Sequence, residues 1–143
     1  SAAPSELPKE FRLFRQGPND TEIGRFLFDD EAATSVMTEY ERAGVELMID
    51  LDHQSATEHI DKDPTARDAR GWFRLELRNG ELWAVNVHWT DDGARRVLEH
   101  RQRYISPLFA HVKGNVTRVI GAALVTMPAI HNAPPLLAST EGS

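Results

Sequence analysis

The sequence predicts an α+β domain: a small, mostly antiparallel β-barrel or sheet of about seven strands, flanked by helices. Three observations predict it. Short segments in which apolar residues alternate with polar ones recur from Glu10 to Met127. Turn-forming residues separate most of them. Two other stretches carry apolar residues at helical spacing behind a capping residue. At 143 residues and 41% hydrophobic, the chain is large and apolar enough for one core, so a single domain is expected.

The first two alternating segments, EFRLFR at 10–15 and IGRFLF at 23–28, flank QGPNDTE, whose Gly, Pro, Asn and Asp are turn residues, and a hairpin is expected. Asp29 or Asp30 then caps a helix running to about Ala43, with Ala33, Val36, Met37 and Tyr40 on one side and Gly44 as its stop. LMIDLDHQ at 47–54 reads as a strand that buries Leu47, Ile49 and Leu51 and gives out at His53. Residues 54–70 are polar, contain Pro64 and lack an apolar period, so they read as a long loop. GWFRLEL at 71–77 and ELWAVNVHW at 81–89 form a hairpin around Asn79-Gly80, a pair that supplies the positive φ angles of a two-residue turn. Thr90 caps a helix from Asp91 to about Arg101, acidic in its first turn and basic in its last, as the helix dipole favours. RYISPLFAHV and VTRVIGAALVTM, joined by a Gly114-Asn115 turn, supply two more strands. The domain is expected over 1–130, and the proline-rich 131–143 reads as a tail or linker.

Composition excludes several function classes. The net charge is −6 and acids are spread from Glu6 to Glu141, so no basic face exists to neutralise phosphates, and nucleic acid is not an expected direct partner. Absence of cysteine removes thiolate catalysis, Cys-ligated zinc and disulfides. No apolar run approaches a membrane span, and SAAPSELPKE has neither the basic nor the apolar region of an export signal. Glycine-rich phosphate loops are missing too, and no cofactor is expected.

Chemistry must then come from the side chains present. A serine hydroxyl attacks only when a base takes its proton, which requires a histidine within hydrogen-bond reach and a group that orients it. Ser106 lies in an apolar strand between Ile105 and Pro107, where an ordinary buried serine would bond to a neighbouring carbonyl. His53 stands at a strand end, as either a structural residue or a base. The rival is a metal site on the loop carrying His53, Glu58, His59, Asp61 and Asp63, although the spacing fits neither a helical zinc motif nor a calcium loop, and the acids read as a solvated loop. His88 alternates with Val85 and Val87 and points away from their face, while His100 at a helix C-terminus reads as a dipole partner.

DHQ at 52–54, GWF at 71–73, ELWAVNVHWT at 81–90, RYISPLF at 103–109 and AALVTMPAI at 122–130, in this order and spacing, resemble the Mu-like phage I protein, a prohead protease of capsid maturation. The resemblance spans about Asp50 to Ile130. It implies a serine endopeptidase related in fold and chemistry to herpesvirus assemblins, with an assemblin-like sheet. On that resemblance His53 is the general base and Ser106 the nucleophile. Assemblins place a second histidine after the serine, which would make His131 the third member, with His111 and His88 as alternatives. A downstream acid is excluded between Pro107 and Thr140, where the sequence has no Asp or Glu. Arg118 or a backbone hole shaped by Gly114 and Asn115 would hold the oxyanion.

The same resemblance implies that the enzyme cleaves internal scaffold protein and itself, inside the procapsid in the host cytoplasm. Phage scaffold and major capsid protein would be its partners, a homodimer is a further expectation, and a scaffold region would follow the protease. The small residues of LLAST mark Ala138-Ser139 as a self-cleavage bond. Two other readings compete: a catalytically inactive assembly domain that binds capsid or scaffold through strand edges, and a metal-dependent hydrolase built on the 53–63 loop.

Overall fold

The computed structural model describes residues 7–21, 23–51, 68–99, 101–128, 130 and 133–137. Eight strands and two helices follow one another as β1 (Phe11–Phe14), β2 (Gly17–Thr21), β3 (Gly24–Phe28), α1 (Asp30–Ala43), β4 (Leu47–Leu51), β5 (Gly71–Arg78), β6 (Glu81–Trp89), α2 (Asp91–Leu98), β7 (Tyr104–Val112) and β8 (Asn115–Val125). The fold is α+β, as expected. The strands form one sheet in the order β1-β6-β5-β4-β8-β3-β2, with β7 on the other side of β8. Most pairings are antiparallel, but β8 runs parallel to both β4 and β3. Phe14 of β1 stacks on Phe28 of β3 at 5.5 Å and meets Phe109 of β7 edge-on at 5.1 Å. Strands far apart in the sheet order thus share one aromatic cluster, so the sheet must curl around its core.

Local chemistry sets the helices. Asp29 accepts the Ala32 N–H at the start of α1, and Gly44, at φ 67°, closes it in the left-handed conformation that glycine adopts without strain. Ala32, Ala33 and Val36 are the buried residues of this helix. Among the described residues no helix is long and apolar enough to cross a membrane.

Two expectations need correction. Residues 10–15 do not pair with 23–28: β1 pairs with β6, Phe11 opposite Ala84, and the stretch read as a turn is itself a strand, with Gly17 to Thr21 opposite Phe28 to Gly24. The cause is Asn19, which is buried. Its side chain accepts the Arg15 N–H at 3.0 Å and donates to the carbonyls of Arg15 and Gly17, both at 3.1 Å, satisfying the corner between β1 and β2. The second helix also ends at Leu98, short of Arg101, because the N–H groups of Arg101 and Gln102 both turn back to the Arg96 carbonyl.

The C-terminal segment lies against the body of the domain. Leu136 donates its N–H to the Arg103 carbonyl at 2.8 Å, and Leu136 and Leu137 pack against the core.

Candidate functional site

The centre of β8 reads Gly121-Ala122-Ala123, and small side chains there let its neighbours close in. A Cβ on Gly121 would sit 2.7 Å from the Met48 carbonyl oxygen. On one side of β8, Asp50 of β4 is directly opposite Ala123; on the other, Ser106 of β7 is opposite the same Ala123. Residues directly opposite across a ladder share a face of the sheet. Asp50, Ala123 and Ser106 therefore form one row, with two strand spacings of about 4.8 Å putting roughly 10 Å between the outer Cα atoms. The rows on either side, Ile49–Ala122–Pro107 and Leu51–Leu124–Ile105, point the other way. Ile49, Ala122 and Leu124 belong to the hydrophobic core, so the Asp50–Ser106 row lies on the reverse face.

That face is covered as well. Ser106 is 1% exposed, and Asp50 and Ala123 are 0% exposed. The Ser106 hydroxyl has no hydrogen-bond partner among the described residues. An ordinary structural serine in a strand would bond to a carbonyl, because leaving a buried hydroxyl unpaired costs about 1–3 kcal/mol. Unpaired polar groups in well-packed interiors call for a specific reason, and a catalytic role is one.

Chemistry-bearing groups gather at the end of the sheet where β4 finishes and β7 begins. Arg70 donates its backbone N–H to the Ile49 carbonyl, next to Asp50, and its carbonyl accepts from both the N–H and the hydroxyl of Thr90, which caps α2. Gly93 is required in the first turn of that helix, since a Cβ there would lie 1.9 Å from the Arg70 oxygen. The buried Arg70 guanidinium meets Asp92 at 2.6 Å, and Arg95 and Arg96 each reach the same carboxylate at 2.9 Å. Burial opposes the charge of Asp92, but hydrogen bonds from Arg96 and Arg95, with the added charges of Arg96 and Arg70, outweigh it and hold the carboxyl below its ordinary range.

The other anticipated residues fall as follows. His53, His131, Ala138 and Ser139 lie outside the described residues, as do Glu58, His59, Asp61, Asp63 and His100. Arg118 is exposed and opposite Ala110, four residues from Ser106, or about 13 Å along the strand. Gly114 is in the turn beyond Val112, farther still. The structure does not bring either to Ser106. His111 caps that turn by accepting the Gly114 N–H on Nδ1, with its ring edge against Phe26. His88 is exposed and opposite Trp72 on β5, in a row that reaches β8 at Gly121 only through Met48. Among the described residues no cluster of three or more histidines or carboxylates could hold a metal ion.

A groove of about 390 Å³ opens between β1 and β7, lined by Phe11, Leu13, Ile105 and Pro107 and by Ile130 and residues 133–136. Its strand residues Ile105 and Pro107 flank Ser106 and face the other way, so this groove and the Ser106 hydroxyl are separate features. Sequence reasoning passed over Asp50. An acid alternating with apolar residues reads as the solvent side of a strand, and only the pairing of β4 with β8 reveals it as buried in the same row as the serine, one strand away across β8.

A curled α+β sheet with a buried serine at its centre, its hydroxyl without a hydrogen-bond partner among the described residues, is the class of domain these observations define. The model of the Mu-like prophage I protein N-terminal domain matches residues 11–137. With that span, the chain belongs to this family, and the protein is phage-related. No curated protein and no solved structure matches the chain.

Proposed function

We propose that this domain is the serine endopeptidase of phage capsid maturation, related to the herpesvirus assemblins, which cleaves internal scaffold protein and itself within the procapsid. Ser106 is the nucleophile and His53 the general base. In the reaction the Ser106 hydroxyl gives its proton to the imidazole and its oxygen bonds to the scissile carbonyl carbon. The C–N bond then breaks as the imidazole returns the proton to the leaving amine, and water releases the acyl group by the same route. The partners on this reading are scaffold and major capsid protein in the host cytoplasm.

The observation that supports the reading is the Ser106 hydroxyl: buried, in a strand, and bonded to no carbonyl among the described residues. Family membership over residues 11–137 agrees with it. At 1% exposure the hydroxyl is reached only after a local rearrangement, which suits an enzyme held quiet before assembly. The same cover, together with the 85% exposed Ile23 in the turn after β2, an end strand of the sheet, favours the second reading, a catalytically inactive domain that binds capsid or scaffold.

Treatment with a fluorophosphonate, followed by peptide mapping, separates the two. The protease reading expects one slowly formed adduct, on Ser106, that does not form in His53→Ala. An adduct on another serine, or none after prolonged exposure, supports the assembly domain instead.

A further inference from the structure

We propose that the groove between β1 and β7 is a docking site for an extended segment of the scaffold protein, which adds as a strand to the β7 edge and sets an acidic residue against Arg15. Scaffold as the partner rests on the proposed function; the chemistry of the groove does not involve Ser106.

Both walls of the groove are ends of the sheet. Among the described residues β1 pairs only with β6, and β7 only with β8. In an end strand the backbone groups of alternate residues point away from the one partner. Two observations locate those residues on β7. Arg103, just before the strand, accepts the Leu136 N–H on its carbonyl at 2.8 Å, and Leu136 lines the groove. Alternation then turns the backbone groups of Ile105 and Pro107 the same way. Pro107 fits this placement, because proline is tolerated in a strand where its missing N–H would face no neighbour. On β1, the carbonyl of Lys9 accepts the Val87 N–H of β6. The same alternation sends the backbone of Phe11 toward β6 and those of Glu10 and Arg12 to the groove side.

The segment that already lines the groove leaves these edges largely unused. Pro134 and Pro135 have no N–H to give, and Ala133 donates its own to the Ile130 carbonyl. From residues 133–137 only Leu136 forms a backbone hydrogen bond to the β7 side among the described residues. The N–H and carbonyl of Ile105 therefore face a groove of about 390 Å³, and such groups are what an added strand takes up.

Walls and charge define the segment that fits. Phe11, Leu13, Ile105 and Pro107 make the sides apolar, which selects apolar side chains at alternate positions. Of the acidic and basic side chains near them, Glu10 is held by Arg78 at 2.7 and 2.9 Å, and Arg12 by Glu81 at 3.0 Å. Arg15 also lines the groove, is exposed, and has no carboxylate partner among the described residues. Its backbone is fixed, because the buried Asn19 bonds both its N–H and its carbonyl. The groove thus presents one uncompensated cation at a set place beside apolar walls, and a carboxylate on the incoming strand is its complement.

The experiment uses the full-length chain carrying Ser106→Ala, so that scaffold is not cut, together with the intact scaffold protein. It reads affinity and amide exchange. Scaffold should slow exchange of the Ile105 N–H roughly tenfold or more. Arg15→Glu should weaken binding about tenfold at low salt and less at high salt, while Arg15→Lys stays within a few fold of the parent. Neither change at this exposed position should alter the melting temperature. Scaffold that binds without protecting Ile105 and without responding to Arg15→Glu uses another surface, which overturns the inference and leaves the proposed function standing. Scaffold that does not bind at all overturns both. A synthetic APPLL peptide, the sequence of residues 133–137, is the control: if it protects Ile105 as strongly as scaffold does, the groove receives the tail of a second copy and the assignment to scaffold is overturned.

Discussion

The two faces of strand β7 differ in kind. Ile105 and Pro107 look into a groove of about 390 Å³ that Ile130 and residues 133–136 also line, while Ser106 between them looks the other way, into a closed row with Ala123 and Asp50. The groove has volume and apolar walls, the usual marks of a binding site. The row is closed to solvent, yet it holds the buried carboxylate and a hydroxyl with no hydrogen-bond partner among the described residues. Size locates where something can lie against the protein. An unpaired polar atom locates where chemistry would be done.

The largest effect expected from this contrast concerns self-processing. Since the segment 133–137 rests on the face opposite Ser106, cleavage just beyond it should occur between molecules. A tenfold dilution of the purified protein should slow the fractional rate about tenfold, followed by intact mass over time; a rate independent of concentration would break the comparison. A smaller effect is expected from the groove side. Leu136→Ala should lower the unfolding free energy by about 1–3 kcal/mol, since a half-buried leucine gives up less than a fully buried one, without altering phosphonylation at Ser106. Denaturant melts and labelling rates check both halves.

Ser106→Ala should change stability in the opposite direction. It removes a buried hydroxyl that has no partner among the described residues, so the variant is expected to be as stable as wild type or more stable by about 1 kcal/mol. A loss of more than that would mean the hydroxyl is bonded in solution and the two faces are less different than described.

The smallest effect lies at the Arg70 corner. The folded state lowers the Asp92 pKa, so the stability this carboxylate contributes is present above its unfolded pKa and is lost as pH falls through the folded one. Asp92→Asn should therefore lower the melting temperature by a few degrees at pH 7, an effect tempered by solvent because the carboxylate is 36% exposed, and the difference should vanish under strongly acid conditions. A difference that persists there would assign Asp92 a role other than its charge.

Much of this frame was legible in residue order. Capping at Asp29, Gly44 and Thr90 marks both helix starts and one end, and Asn79-Gly80, at φ 52° and 80°, makes the predicted hairpin turn. These signals are local, and local chemistry suffices to read them. Pairings between distant segments are not of this kind. Nothing near LMIDL states that β4 runs parallel to β8, so Asp50 reads as a solvent-facing alternate when it lies in the row of Ser106. Asn19 reads as a turn residue for a similar reason: its amide can satisfy the backbone of a corner equally well from within a strand. Ser106 read from the residues as one candidate beside an ordinary buried serine, and only a resemblance favoured it, because the lack of a hydrogen bond at its hydroxyl is a property of packing.

The claim that this hydroxyl is a nucleophile is tested most directly by the intact mass of the full-length chain, with any scaffold region that follows, for wild type, Ser106→Ala and His53→Ala. The account predicts that wild type releases a fragment ending near residue 138 and that both variants stay whole. If all three are processed alike, or none is, Ser106 is not the nucleophile, and the domain is better understood as a binding component of the assembling capsid.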